Sequence, residues 1–408
     1  MDLRPSSRQQ ELMDLARGLA IEKFASRAAD LDRDAAFPVE DYQDLRDAGL
    51  LALCVPEEHG GLGADYETYC LVSEKLAQGN SSTALTFNMH CLTMLMMGPL
   101  MDGLGLPADV QDRHKKLSAR RYREVIEQGV FYGQPHGERL ESGTADPIDA
   151  GGRRFGTTAK RVDGGYLVNG SKFFVSSAGV ADYFATPALL LSDGPWVDRT
   201  LYLSIPREAP GVEFSGDWDP IGMRSTVSQD MELKDVWAPD DAEVLPAGVF
   251  GQLFQRQPHI FIAFSATFLG LMQAAYDFTV AYTTGRAPTD ANARGGQSAI
   301  GAALAEMLFK LEATRALFYR SISEQQLDPP VEAIQRARAA HVQVQRAVVE
   351  LTGEAIRLCG GRAMLKRHPL ERYYRDARAA AVMRPWTQEK ATQDVWETAL
   401  LDGRLPEG

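Results

Sequence analysis

Apolar residues recur at intervals of three and four near the start of the chain. Leu12, Leu15, Ala16, Leu19 and Ala20 form the stripe of an amphipathic helix. The same period predicts helices over 39–48, 65–77, 82–101 and 107–128. Between about 129 and 240 the pattern changes. Gly, Pro, Asp and Thr rise, and runs such as YFATPALLL and TLYLSIP read as strands between turns. Within this region DGGYLVNGSKFFVSS (163–177) predicts a turn at Asp163-Gly164-Gly165, a strand, a second turn at Asn169-Gly170 and a short strand. From about 250 the helical period returns over longer spans, marked by Phe261–Phe278, Ile300–Ile322 and Ala337–Leu358. The first of these is apolar on more than one face, as a central bundle helix or a subunit interface would be. The third is expected to end in a Schellman cap at Gly360-Gly361. The pattern therefore predicts a mainly α, α+β chain of three domains: helical (1–128), β (129–240) and a helical bundle (241–408).

Composition narrows the function classes. The chain has 408 residues, 45% apolar and 24% charged, which fits a globular protein of two or three domains and not a disordered one. A net charge of -12 with no basic stripe argues against nucleic acid as a partner. MDLRPSSRQQ carries no apolar signal region, and the strongly apolar stretch near Ile260–Met272 is too short for a bilayer span. Cys54, Cys70, Cys91 and Cys359 lie far apart without a C-x-x-C, so reduced thiols and a cytoplasmic location are expected. The seven histidines show no metal-ligand spacing. GGLGAD at 60–65 follows a loop-like VPEEH and reads as a surface loop, not a dinucleotide fingerprint.

One feature is odd for a plain core strand. Phe173 and Phe174 stand beside Ser176 and Ser177, two rings next to two hydroxyls. Several stretches, in order along nearly the whole chain, resemble the acyl-CoA dehydrogenase family: VPEEHGGLG (55–63), SSTALTFNMH (81–90), VDGGYLVNGSKFFVSSAGVADY (162–183), GMRSTVSQDMELKDVWAPDD (222–241) and LCGGRAMLKRHPLERYYRDAR (358–378). The resemblance implies a helix–sheet–helix architecture, bound FAD, a homotetramer and electron-transfer flavoprotein as electron partner. It implies that Phe174 stacks on the flavin ring and that the Ser176 hydroxyl bonds N5. It also implies that Arg286 meets the FAD pyrophosphate from a neighbouring subunit, as a guanidinium suits. Gly360-Gly361 would let the backbone approach the pyrophosphate, with Arg357 one turn before.

The chain also departs from the family pattern. The flavin-binding stretch is represented by GQPHGE (133–138), where Gln134 replaces a carboxylate, and Thr289-Asp290 replaces a Phe-Gly pair. The position of the family's catalytic Glu, nine residues after Arg375, is Arg384, and QRQPHIFIAF (255–264), where a minority of members place it, has no acid. Arginine is no base near neutral pH. Three readings follow. The first is α,β-dehydrogenation of an acyl thioester with a displaced base, for which Glu389 is the nearest candidate. The second is a flavin monooxygenase of the same fold, like dibenzothiophene monooxygenase, supplied by a flavin reductase. The third is an inactive partner subunit. In the second reading Arg384 would hold an anionic substrate group or a flavin–oxygen adduct.

Overall fold

In this computed structural model, residues 4–138, 156–286, 298–383 and 387–402 are described. The N-terminal part holds α1 (Ser7–Leu19), α2 (Ala25–Asp34), α3 (Val39–Asp47), α4 (Tyr66–Leu76), α5 (Ser81–Met97) and α6 (Ala108–Gln128). Their starts are chemically marked. Ser6 and Gln9 form a capping box on α1, Asp65 caps α4 and Asn80 caps α5.

Next come β1 (Tyr132–Gly133), β2 (Thr158–Val162), β3 (Gly165–Val175), β4 (Tyr183–Leu190), β5 (Thr200–Pro206), β6 (Val212–Ser215), β7 (Gln229–Pro239) and β8 (Glu243–Leu245). They form one sheet in the order β6-β7-β3-β2-β4-β5-β8, with β1 added to β4 in parallel. The C-terminal bundle comprises α7 (Val249–Arg256), α8 (Ser265–Thr283), α9 (Ser298–Ile322), α10 (Val331–Cys359), α11 (Leu370–Ala380) and α12 (Gln388–Asp402).

Two local expectations are corrected. Asn169-Gly170 is not a turn: β3 runs through it for 11 residues and absorbs the irregularity as a register shift against β7. A glycine is needed there because a Cβ at Gly170 would meet Thr157 Oγ1 at 2.5 Å. Helix α10 does end at the expected glycine C-cap, Gly360, but the cap is not a Schellman motif. Gly360 has φ 79° and ψ -179°, outside the left-handed helical region, and its N–H bonds the Ile356 carbonyl.

Helix α5 is buried along all of its 17 residues. Its polar side chains are satisfied by all three parts of the chain. Thr83 donates to Asp41 of α3, Gln134 beside β1 donates to Thr93, Asn88 donates to Thr267 of α8, and Ser81 donates to Asp376 of α11. The apolar α8 is likewise enclosed by its own chain, packing on α4, α9, α10 and α11. The helical stretch Pro258–Thr283 has the length and composition of a membrane span, but 83% of its apolar 18-residue window is buried inside the fold. Its all-round apolarity is therefore explained without a partner subunit.

Candidate active site

A cavity of about 700 Å³ opens where the sheet meets α5 and α11, within the size range of small-molecule sites. Its walls are mostly apolar, among them Met89, Met96, Trp218, Ile221 and Phe261. The polar side chains that reach it are Gln134, His136, Ser176, Thr226, Ser228, Tyr374, Arg375 and Arg378.

The aromatic-hydroxyl strand end is delivered by a bulge. Lys172 pairs with Met231 and Val175 with Gln229, so Phe173 and Phe174 together face one residue of β7. The bulge throws Phe174 outward. It has φ 52°, unusual for a bulky residue, and stays 66% exposed over the cavity with its ring edge-on to Trp218. Met223, which also lines the cavity, and Ser177 and Val227, which are chain neighbours of lining residues, have positive φ as well. Backbone strain of this kind gathers where function holds it. Phe174→Gly is expected to raise the unfolding free energy by at most about 1 kcal/mol, because relief of the roughly 1–2 kcal/mol left-handed strain is partly offset by the roughly 0.5–1 kcal/mol of chain entropy that glycine loses on folding. The same change should weaken ligand retention by removing the wall. Chemical denaturation alongside a flavin titration checks both.

The loop 218–228 is fixed against α11. Asp376, buried at 2% exposure, accepts from Met223 N at 2.6 Å and Ser81 Oγ at 2.8 Å. A Cβ at Gly222 would lie 2.3 Å from the Arg375 carbonyl oxygen, so only glycine allows this approach. Arg375 is committed: it binds Asp32 at 2.6 Å and Glu371 at 2.7 Å. Arg378 differs. It donates to Tyr374 Oη at 2.6 Å, stacks over that ring, and has no carboxylate partner among the described residues. It is a cation open to an anionic or hydrogen-bond-accepting ligand group.

Opposite the strand end, the 133–138 segment lies close to β3. Phe173 N donates to the Gly137 carbonyl at 3.0 Å. His136 sits among Tyr202, Phe250 and Phe254, with Nε2 3.1 Å from Tyr202 Oη. Burial, reinforced by the nearby Lys172 charge, lowers its pKa to about 3, so the imidazole is neutral and weakly basic. Beneath it the Lys172 ammonium and Glu138 carboxylate form an ion pair with neither side chain exposed. Lys172 also donates to the Pro187 carbonyl, and Glu138 accepts from the backbone of Gly156 and Thr157.

Of the residues singled out from sequence, Gln134, Phe174 and Ser176 meet at this cavity. The others do not join them within one chain. Arg286 is exposed at the end of α8, with Nε on Thr284 Oγ1. Arg357 is exposed and ion-paired with Glu354. A Cβ at Gly360 or Gly361 would meet nothing within 4 Å, so neither glycine is needed for a close approach inside this chain. Glu389 is a correction: it lies in the first turn of α12, exposed, and lines a separate cavity with Arg346 and Trp396. The helix restarts at Gln388 against α10, which carries Glu389 away from Phe174. Arg384, and the Thr289-Asp290 pair, lie outside the described residues. Sequence reasoning missed His136, Arg378 and Ser228. Ser228 becomes visible only through the β3–β7 register, which extends from Val175/Gln229 to set it beside Ser176.

The cavity's apolar walls, outward aromatic ring and row of hydroxyls with one primary amide suit a flat heterocycle with polar edges, such as a flavin. Comparison with known proteins agrees. The sequence matches the acyl-CoA dehydrogenase N-terminal domain over residues 6–102, the middle domain over 150–236 and the C-terminal domain over 262–384. YdbM of Bacillus subtilis (strain 168), which carries an acyl-CoA dehydrogenase name, is 30% identical over 370 residues, 89% of this chain and 90% of its own. L-evernosamine nitrososynthase of Micromonospora sp. is 28% identical over 403 residues, 94% of this chain and 88% of its own. In fold, the chain is similar to TdsC of Paenibacillus sp. A11-2, a dibenzothiophene monooxygenase solved with FMN and indole. That match has a TM-score of 0.80 at 22% identity and covers 97% of this chain and 98% of that one. The chain belongs to the acyl-CoA dehydrogenase family of flavoprotein oxidoreductases.

Proposed function

We propose that this protein is a flavin-dependent monooxygenase that takes reduced flavin from a separate reductase and oxygenates a small, largely apolar ring compound. One observation carries the reading: among the described residues, the cavity lining contains no carboxylate. Dehydrogenation of a thioester needs a base for the α-proton. His136, the one imidazole there, is held too acidic to serve near neutral pH. The relatives named for nitrososynthase and monooxygenase chemistry support the same side of the family.

Bound reduced flavin would supply the electrons that activate dioxygen. The chain's own groups do the rest. Phe174 and Trp218 would wall the flavin ring, and Gln134 and Ser176 would meet its polar edge. Leu85, Met89, Met96, Ile221 and Phe261 keep water from the reacting atoms, which protects activated oxygen from wasteful discharge. Arg378 orients a substrate through its electron-rich or anionic group.

The test supplies FAD or FMN, NADH and an unrelated flavin reductase in air, with indole and dibenzothiophene as first substrates. The expected result is product carrying an atom of ¹⁸O from ¹⁸O₂. Anaerobic bleaching of bound flavin by any of a panel of acyl-CoAs, with no oxygen incorporation, would reject this reading in favour of the dehydrogenase.

A further inference from the structure

We propose that Thr226 and Ser228 are positioning residues that fix the direction of the Ser176 hydroxyl, so that the site selects reduced over oxidised flavin. This rests on the flavin reading above and concerns which redox state the site prefers.

Ser176 Oγ lies 2.8 Å from Ser228 Oγ, and Ser228 Oγ lies 2.8 Å from Thr226 Oγ1. Thr226 Oγ1 in turn lies 2.9 Å from the Met223 carbonyl oxygen. Each hydroxyl owns one proton and can accept through its lone pairs. A carbonyl oxygen only accepts, so the Thr226 proton goes to Met223. Ser228 must then donate to Thr226, and Ser176 must donate to Ser228. All three protons point along the row, away from the cavity. What Ser176 presents to the cavity is a lone pair.

The row is held in place from several sides. Ser176, Ser228 and Thr226 are 5%, 6% and 1% exposed. The backbone is locked by Ser177 N on the Thr226 carbonyl at 2.8 Å and Ala178 N on the Val227 carbonyl at 3.1 Å. Reorienting the row would mean breaking the Thr226–Met223 bond in a buried place, where a lost bond is costly.

A lone pair discriminates between flavin states. Two-electron reduction adds a hydrogen to an unprotonated ring nitrogen of the isoalloxazine, turning an acceptor into an N–H donor. An acceptor on the protein meets the donor productively and leaves the oxidised acceptor unpaired. One hydrogen bond of ordinary worth corresponds to about a tenfold preference for the reduced state. For a two-electron couple that is a midpoint potential about 30 mV above that of free flavin.

The experiment measures dissociation constants for oxidised FAD and FMN and, under anaerobic conditions, for the dithionite-reduced forms, with the midpoint potential as a second readout. Wild type is expected to bind the reduced form about tenfold more tightly. Thr226→Val removes the anchor that sets the direction of the row, so Ser176 can donate to the oxidised ring or accept from the reduced one; the ratio should fall to about one. Thr226→Ser keeps the row and should keep the ratio. Should Thr226→Val not fold, Ser228→Ala frees the Ser176 proton directly and is expected to lower the ratio equally. Equal affinities in wild type, a preference for oxidised flavin, or the same ratio in Thr226→Val and Thr226→Ser would each overturn the proposal. Failure to bind either redox state would instead reject the flavin reading on which it stands.

Discussion

Replacing Glu138 with alanine is expected to lower the unfolding free energy by about 3 kcal/mol or more, measured by urea denaturation at pH 7. The Lys172–Glu138 pair has neither side chain exposed, and removing one member leaves the ammonium buried without this carboxylate. Burial already lowers the Lys172 pKa, with Glu138 opposing it. The loss should therefore be answered partly by deprotonation. The double change Glu138→Leu with Lys172→Met removes both charges and should recover most of the stability, since apolar replacements of buried pairs are often neutral or better. A double variant no more stable than the single one would show that the backbone bonds from Gly156 and Thr157 matter more than the charge.

Acidification should destabilise the fold well before the surface carboxylates titrate. His90 donates from Nε2 to the Leu51 carbonyl and accepts at Nδ1 from Tyr132 N–H. That pairing admits only the neutral ring, and burial lowers its pKa to about 4. Both ring nitrogens of His259 are buried without a hydrogen-bond partner among the described residues, and burial lowers its pKa to about 4. In the unfolded chain each protonates near 6.5. Between pH 6.5 and 4 the unfolded state therefore binds more protons, and stability falls as pH falls. His136 adds to this, though its cavity-facing surface tempers the effect. Asp41 opposes it: burial raises its pKa to about 6, so the folded state takes up that proton first. Asp376, also raised by burial, acts in the same sense as Asp41. The balance is roughly one to two protons, or about 1.4–2.7 kcal/mol per pH unit around pH 5. Urea midpoints at pH 7 and pH 5 check it, and a flat profile would contradict it.

The helices were legible because their period is local. α3, α4 and α6 stand within a residue or two of the spans read from apolar spacing. The strand end was legible for a different reason: Phe174 and Ser176 were placed through the family pattern, and the bulge that aims them leaves no mark in residue type. The Asn169-Gly170 turn was misread because the same dipeptide that closes a hairpin also tolerates a register shift inside a long strand. Ser228 and Arg378 were not legible, since one depends on pairing across the sheet and the other on a cavity built from distant segments. Glu389 shows the converse. Closeness in sequence to the expected base position counted for nothing once the chain restarted a helix facing α10.

Helix α5 carries a consequence for how the protein comes to exist. Its partners include Asp41, Thr267 and Asp376, so its last hydrogen bond is supplied by a residue near the C-terminal end of the chain. Synthesis at about 5–20 residues per second leaves α5 waiting tens of seconds for that partner after it leaves the ribosome. During that time a helix with no side made for water is uncovered on the nascent chain. The three parts of this protein are thus separate in pattern but not in birth. Expression of the N-terminal helices alone would yield a sticky fragment, and a holding chaperone would serve this chain most before residue 376 emerges.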